Sequence, residues 1–207
     1  MKVIRGKMNY PKFFNDVETI SLTDPLSKIL GSLENGLCEF NYFDSVKAAG
    51  HSCPTVGGAY LMASRALKAL YPDSLPVRGQ IKVEFAESLE DGTAGVISNV
   101  ITNITGATDK SGFKGLNGNF ARHSLMFFDA DIQASARFTR LDTNRSVDVI
   151  YNPSSVPPDP QMQSYMHKVM RGTANEDEVE KFGVLWQDRV KRILIDNSDS
   201  VITVTEV

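Results

Sequence analysis

A histidine and a cysteine stand two positions apart in the segment AAGHSCPTVGGAYL, residues 48 to 61, and a proline follows the cysteine directly. The whole chain has only three histidines and two cysteines, so His51 and Cys53 concentrate metal-ligating residue types in one place. On an extended segment their side chains would point to the same side, with the two Cα atoms about 6.5 Å apart. An imidazole nitrogen and a sulfur at that spacing can both reach one metal ion at about 2.0–2.3 Å.

Cys53 is also expected at the start of a helix, because Pro54 suits the first helical position. The free N–H groups and the dipole of a helix N-terminus favour a thiolate. A thiolate beside an imidazole has two main uses, as ligands to a soft metal or haem iron and as a nucleophile with its base. The third interpretation is structural, with the cysteine packed as a small hydrophobe and the histidine bonded to a backbone carbonyl. Spacing alone leaves all three open.

Other side chains could extend such a site. Cys38 lies upstream of Cys53 and is either an additional ligand, brought back by the fold, or a core residue. His123 follows the glycine-rich stretch DKSGFKGLNGNFARH and is either an additional ligand or a surface residue at the start of a strand. Lys114 and Arg122, together with the backbone N–H groups of that stretch, could bind an anion, although glycine-rich loops are often only turns.

Length, composition and net charge argue against several classes of protein. A chain of 207 residues is long enough for one domain with a substantial core, and we treat residues 1–207 as one domain with a loosely patterned lead-in at 1–23. The formal net charge of -3, with no basic block, argues against nucleic-acid binding. No stretch resembles a membrane span or a signal peptide. We expect a cytoplasmic protein, and a reducing compartment disfavours a disulfide between the two cysteines.

The elements that must position the His-x-Cys segment alternate between helix and strand patterns. The helix that follows Pro54 is apolar on one face and small on the other, so it should be buried between layers or packed on a second copy. The order of elements predicts an α+β fold with a largely antiparallel sheet and a C-terminal helical pair. Helices are predicted at residues 25–33, at 54–71, in GTAGVISNVITNITGAT up to a Gly106 cap, at 159–171 and after an Asn175 cap, and strands in LCEFNYF, QIKVEFAE, SLMFFDA, ASARFTRL, SVDVIY and SVITVTEV.

Three segments together resemble a known family. GHSCPTVGGAYLMASRALKALYP resembles the opening helix of the E-subunit family of formylmethanofuran dehydrogenase, which carries a Gly-His-x-Cys-Pro motif before a helix of small residues. ITGATDKSGFKGL is similar to the family's later Thr-Gly-Cys-Thr segment and its glycine-lysine loop. EDEVEKFGVLWQDRVKRIL is similar to the closing helix of some members. The resemblance covers about residues 40 to 195.

The resemblance carries expectations about fold, cofactor and partners. It implies a mixed, largely antiparallel sheet packed with helices, like the C-terminal domain of glyceraldehyde-3-phosphate dehydrogenase, often in a homodimer. It implies a metal site that uses His51 and Cys53, with zinc the usual metal and another transition metal or haem as alternatives. The family is named for its association with a molybdenum or tungsten enzyme, which implies a redox-enzyme partner. It does not imply that activity for this chain, and whether the chain is an enzyme stays open.

The sequence departs from the family pattern at three positions. Ala107 stands where the family has its second-motif cysteine, Val96 falls near a further cysteine, and Asn99 falls at an aspartate. The Cys-x-x-Cys zinc finger of some members is not found in these residues. Two protein ligands are too few for a closed structural zinc site. The remaining interpretations are an open site, a site completed across a dimer, haem ligation, a nucleophilic enzyme for a small acyl or one-carbon substrate, and an accessory protein of a larger complex with a vestigial site.

Overall fold

The computed structural model describes residues 8–207, which contain two β-sheets. The strands are β1 (Ile20–Thr23), β2 (Leu37–Phe40), β3 (Ile81–Phe85), β4 (Met126–Phe127), β5 (Ala136–Arg140), β6 (Ser146–Tyr151) and β7 (Ile202–Glu206). Strands β1 and β2 form a small antiparallel pair. The other five form one sheet in the order β4-β3-β5-β6-β7, in which only the pairing of β3 with β4 is parallel.

Helices cover this sheet and form a pair near the C-terminus. They are α1 (Pro25–Ile29), α2 (Tyr42–Ala49), α3 (Pro54–Leu70), α4 (Ala94–Thr105), α5 (Met162–Met170), α6 (Glu176–Lys191) and α7 (Ser198–Val201), with a π-helical turn (Arg192–Asp196) continuing α6. Helix α3 contacts α4, β6 and β7, and α5 packs on α6. The predicted α+β fold, its largely antiparallel sheet and the C-terminal helical pair are confirmed. Within residues 8–207, no helix is both long and apolar enough to span a membrane.

Helix α3 lies at the centre of the molecule, and its small face is covered within the chain. A Cβ atom added to Gly58 would lie 2.3 Å from the ring of Tyr151 on β6. A Cβ atom added to Gly57 would lie 3.3 Å from the side chain of Leu194 in the π-helical turn. The small residues therefore let the helix approach the sheet and the C-terminal segment closely. Of the two predicted environments for this helix, burial between layers is the one observed.

One helix was predicted as extended chain. The pattern LCEFNYF predicts a single extended segment, but β2 ends at Phe40 and α2 begins at Tyr42. The cause is a capping box, in which the Asn41 side chain accepts from the Asp44 N–H and the Asp44 carboxylate accepts from the Asn41 N–H, both at 3.0 Å. Aromatic residues suit strands by propensity, whereas the cap fixes the backbone locally as a helix start.

Other boundaries differ by a few residues. The first predicted helix ends at Ile29, because Gly31 adopts a left-handed conformation with φ of 67°. The strand in SLMFFDA is limited to Met126–Phe127, since Ser124 and Asp129 on either side both have φ of 58° and bend the chain away from the sheet. The predicted helix at 159–171 begins at Met162, and the first two residues of SVITVTEV belong to the short helix α7, so the strand begins at Ile202.

Candidate functional site

The three residues from His51 to Cys53 form a short connector between α2 and α3. Gly50 ends α2 in a left-handed conformation with φ of 77°. Cys53 has an extended backbone, with φ of -149° and ψ of 169°, and is the N-cap residue of α3. The connector is therefore fixed at both ends by helix termini. This placement matches the prediction that Cys53 stands at the start of a helix.

Cys53 is buried, and its sulfur replaces the usual oxygen of a helix cap. Only 8% of the residue is exposed. Its Sγ atom accepts a hydrogen bond from the backbone N–H of Val56 at 3.4 Å, the bond that a serine or aspartate oxygen makes at an N-cap. Cys53 and Cys38 are both free thiols. The sulfur of Cys53 is thus held in one orientation by the first turn of the helix.

His51 is exposed, and one of its ring nitrogens contacts the backbone. Its Nδ1 atom lies 3.1 Å from the carbonyl oxygen of Ala49. Because a carbonyl only accepts, Nδ1 carries the hydrogen in this contact, and Nε2 of the neutral ring keeps a free lone pair. Metal-binding histidines commonly have this arrangement, in which a backbone carbonyl fixes the tautomer and the other nitrogen binds the ion.

Ser52, between the two, is the best-anchored residue of the connector. Its carbonyl oxygen accepts hydrogen bonds from Trp186 Nε1 at 2.9 Å and from Gln187 Nε2 at 3.2 Å, both on α6. Its Oγ atom lies 2.9 Å from the hydroxyl of Tyr42 on α2 and donates to Gln187 Oε1 at 3.0 Å. The sequence does not predict this anchoring, because Trp186 and Gln187 lie 134 and 135 residues after Ser52 and no motif connects them to it.

A fully buried tyrosine, Tyr42, and a half-buried one, Tyr151, lie beside the connector. Burial raises the pKa of Tyr42 above its usual range, and a charge on Cys53 would raise it further, against the opposing effect of the Ser52 hydrogen bond. Burial likewise raises the pKa of Tyr151, whose hydroxyl donates to the carbonyl of Pro54 at 2.7 Å. Both phenols are therefore neutral hydrogen-bond donors at physiological pH. They place uncharged, weakly polar groups next to the connector.

Residues 8–207 do not assemble a complete set of metal ligands from their own side chains. Within the part described, 8–207, no three His, Cys, Asp or Glu side chains come together in a way that could hold an ion. Cys38 lies half-buried on β2 opposite Leu22, where burial raises the pKa of its thiol. His123 contacts the Ser124 hydroxyl through Nδ1 at 2.9 Å. Ligation by any of these residues stays a prediction.

Of the positions that depart from the family pattern, Val96 and Asn99 lie in α4 and Ala107 lies just after the C-terminal end of that helix. Cys53 lies at the N-terminal end of α3, a helix of 17 residues and so about 25 Å long. At the other end, the carbonyl of Leu70 accepts from Arg140, which pairs with the first residue of β3. The loop before β3 donates an N–H to the carbonyl of Thr105 at 2.8 Å. The buried Ala107 is two residues after Thr105, so it lies toward the opposite end of α3 from Cys53.

The predicted anion ligands have other partners. The guanidinium of Arg122 is buried and bonds Asp24 Oδ1 at 2.7 Å, while Arg78 bonds Asp24 Oδ2 at 3.1 Å. Gly79 makes room for this group, since a Cβ there would lie 2.1 Å from Arg122 Nη1. Lys114 is exposed and donates to a nearby backbone carbonyl. An anion site at this loop stays a prediction, and the charge of Arg122 is already matched by an internal carboxylate.

We expect Asp24 to make the fold sensitive to acid. Burial acts to raise its pKa, but the Ser27 N–H bond and the two arginine charges outweigh burial and lower the pKa below its usual 3.8. The unfolded chain therefore takes up this proton first, so the stabilising effect is complete above about pH 4 and is lost as the pH falls through the folded-state pKa. Urea unfolding between pH 2 and 7 measures this loss.

The comparison for that series is Asp24→Asn, which cannot ionise. Its free energy of unfolding should depend less steeply on pH below 4 than that of the wild type. Asp73→Asn, at an exposed position, serves as the control and should follow the wild-type curve. Parallel curves for the wild type and Asp24→Asn would contradict the assignment of this acid sensitivity to Asp24.

One comparison with known proteins connects this geometry to a family. The sequence model of a family described as FmdE, molybdenum formylmethanofuran dehydrogenase operon, matches residues 48–203. The matched region contains the whole connector, helices α3 to α7 and the five-stranded sheet up to the start of β7. No curated protein matches the chain.

Proposed function

Because the chain belongs to the FmdE family, we propose that it is a metal-binding protein whose protein ligands are His51 and Cys53. The observation that carries the proposal is how hydrogen bonds orient the two side chains. Nδ1 of His51 is occupied by a backbone carbonyl, which leaves Nε2 free. Cys53 offers a sulfur oriented by the first turn of α3. Nitrogen and sulfur together suit zinc or another transition metal of similar softness.

Two ligands from one chain leave open coordination positions. A metal held this way would supply a Lewis-acidic centre that can take water or a substrate donor. We propose that the remaining positions are filled by solvent or by a second copy of the chain, since residues 8–207 bring no third ligand of their own to the pair. A homodimer that completes the site, and a redox-enzyme partner in the cytoplasm, are part of this proposal.

Two alternatives have less support from the contacts. In the described chain the hydrogen-bond partners of His51 and Cys53 are backbone groups, and the two are not bonded to each other as a nucleophile and its base would be. Two aromatic residues of this region, Tyr42 and Tyr60, are fully buried and pack edge to face with ring centroids 5.6 Å apart, so they belong to the core and do not offer a free face to a haem. A vestigial site in an accessory protein is the alternative that the missing third ligand favours.

The test is elemental analysis of protein purified without chelator or immobilised nickel. We expect near-stoichiometric metal in the wild type and its loss in Cys53→Ala and in His51→Ala, because a soft ion with one protein ligand dissociates during purification. Cys38→Ala and His167→Ala are matched controls that remove the same residue types elsewhere, and both should keep the metal. Light scattering on the same samples gives the oligomeric state.

The opposite results have clear meanings. A wild-type protein that stays metal-free after incubation with zinc, iron and haem, and shows no absorption band of haem, would contradict metal binding and support the accessory role. Metal that persists in Cys53→Ala but disappears in Cys38→Ala would move the site to β2. A monomer that retains metal would show that solvent completes the coordination.

A further inference from the structure

Helix α6 reaches the connector through polar side chains. Within α6 only Val190 is fully buried, while Trp186 is half-buried and packs against the hydrophobic core. Trp186 and Gln187 are half-buried and direct hydrogen-bonding atoms at Ser52. Trp186 therefore combines an apolar contact with the core and a hydrogen bond to Ser52. Gln187, the next residue, contributes two further hydrogen bonds to Ser52.

The donors and acceptors of this contact have one consistent arrangement. The Ser52 carbonyl can only accept, so the amide NH2 of Gln187 faces it and the amide oxygen faces the Ser52 hydroxyl. Ser52 donates its single hydroxyl hydrogen to that amide oxygen. The Tyr42 hydroxyl, 2.9 Å from Ser52 Oγ, is therefore the donor in their contact. Gln187 thus binds both the backbone and the side chain of the residue between the two ligands.

We propose that Gln187 and Trp186 are positioning residues for the metal, acting through Ser52 on the flanking His51 and Cys53. The inference rests on the proposed function, because it assigns these residues a role toward the same ion. Ser52 is bonded covalently to both ligands, so fixing its carbonyl and its hydroxyl limits the rotation of the whole connector. Metal–ligand distances in protein sites are expected within about 0.2 Å of their usual values, and loss of second-shell hydrogen bonds that orient ligands commonly changes metal affinity by roughly tenfold to a hundredfold.

The test is a titration of metal-free protein with Co²⁺, whose visible and thiolate charge-transfer bands report coordination geometry. Gln187→Met keeps the length of the side chain and removes both hydrogen bonds to Ser52. We expect its Kd for Co²⁺ to rise roughly tenfold to a hundredfold and its absorption bands to shift. Gln80→Met, at an exposed glutamine just before β3, is the matched control and should bind and absorb as the wild type does.

A second control separates positioning from stability. Ile81→Val trims a fully buried residue at the other end of α3 and lowers the urea midpoint without touching Ser52. It should keep the wild-type Kd and spectrum even though it unfolds more easily. If Ile81→Val weakens Co²⁺ binding as much as Gln187→Met does, the effect follows stability and the inference is wrong.

The remaining outcomes distinguish the two proposals. A Gln187→Met variant with wild-type affinity and spectrum would overturn the positioning role and leave the metal site intact. If the wild type and Gln80→Met both bind no Co²⁺, the proposed function fails and the inference fails with it. Binding by the wild type that is lost in Cys53→Ala, together with a weaker and spectrally shifted Gln187→Met site, is the result we expect.

Discussion

Replacing Arg122 with methionine should lower the free energy of unfolding by about 3–5 kcal/mol, the usual cost of breaking a buried ion pair from one side. The side chain is 7% exposed and that of Asp24 is 6% exposed, so water cannot take over the lost contact. Arg78 alone would remain to compensate the carboxylate, and its side chain is 23% exposed. The variant should also shift Asp24 toward protonation and extend acid sensitivity to higher pH.

Urea denaturation at pH 7 measures this effect, and two comparisons make it specific. Arg145→Met breaks an exposed pair with Glu206 and should cost no more than about 1 kcal/mol. The double variant Asp24→Asn with Arg122→Met removes the buried charge along with its partner, so it should recover part of the loss. An Arg122→Met protein as stable as Arg145→Met would show that the buried pair contributes little to the fold.

Gly58→Ala should destabilise the protein by about 1–3 kcal/mol through overpacking. The added methyl would lie 2.3 Å from the ring of Tyr151, and that ring cannot move away cheaply because its hydroxyl bonds the Pro54 carbonyl at 2.7 Å. Helix α3 must therefore shift outward or the tyrosine must give up this bond. The first change moves the start of α3 and the second frees the Pro54 carbonyl in its first turn, so we also expect weaker metal binding.

Gly183→Ala is the matched control for that substitution. Gly183 also lies in a helix, but a Cβ atom there would meet no heavy atom within 4 Å. It should raise stability by about 0.5–1 kcal/mol, the ordinary helix-propensity gain of alanine over glycine. The same urea titration measures both variants. Equal effects at the two glycines would mean that the close approach of α3 to Tyr151 has no energetic role.

The sequence predicts those parts of the fold that depend on local patterns. Helix α3 follows from Pro54 and the apolar spacing after it, and α4 ends at Gly106 because glycine readily adopts the left-handed conformation observed there, with φ of 77°. Helix α2 could not be separated from β2 in this way, because its aromatic residues suit both structures. The capping box that decides between them depends on two polar side chains, Asn41 and Asp44.

The candidate site is likewise only partly predictable from the sequence. His51 and Cys53 are visible in the sequence because their chemistry is concentrated within three positions. Their anchoring is not visible in the sequence, since Gln187 and Ser52 are 135 residues apart and are brought together only by the tertiary fold. Cys53 and Ala107 lie toward opposite ends of α3 because of the direction in which the strands run. No short sequence motif predicts that direction.

The hydrophobic core extends beyond the region that defines the family. The family match begins at residue 48, yet Phe14, Leu22 and Tyr42 are each at most 3% exposed and lie in the same core as α3. The hydroxyl of Tyr60, inside the matched region, bonds the carbonyls of Glu18 and Phe40, both outside it. A chain shortened to the family boundary would therefore leave a polar group unpaired and an apolar face open to water. The region that matches the family is therefore shorter than the region that folds as a unit. Gene fragments for expression should include the whole folding region.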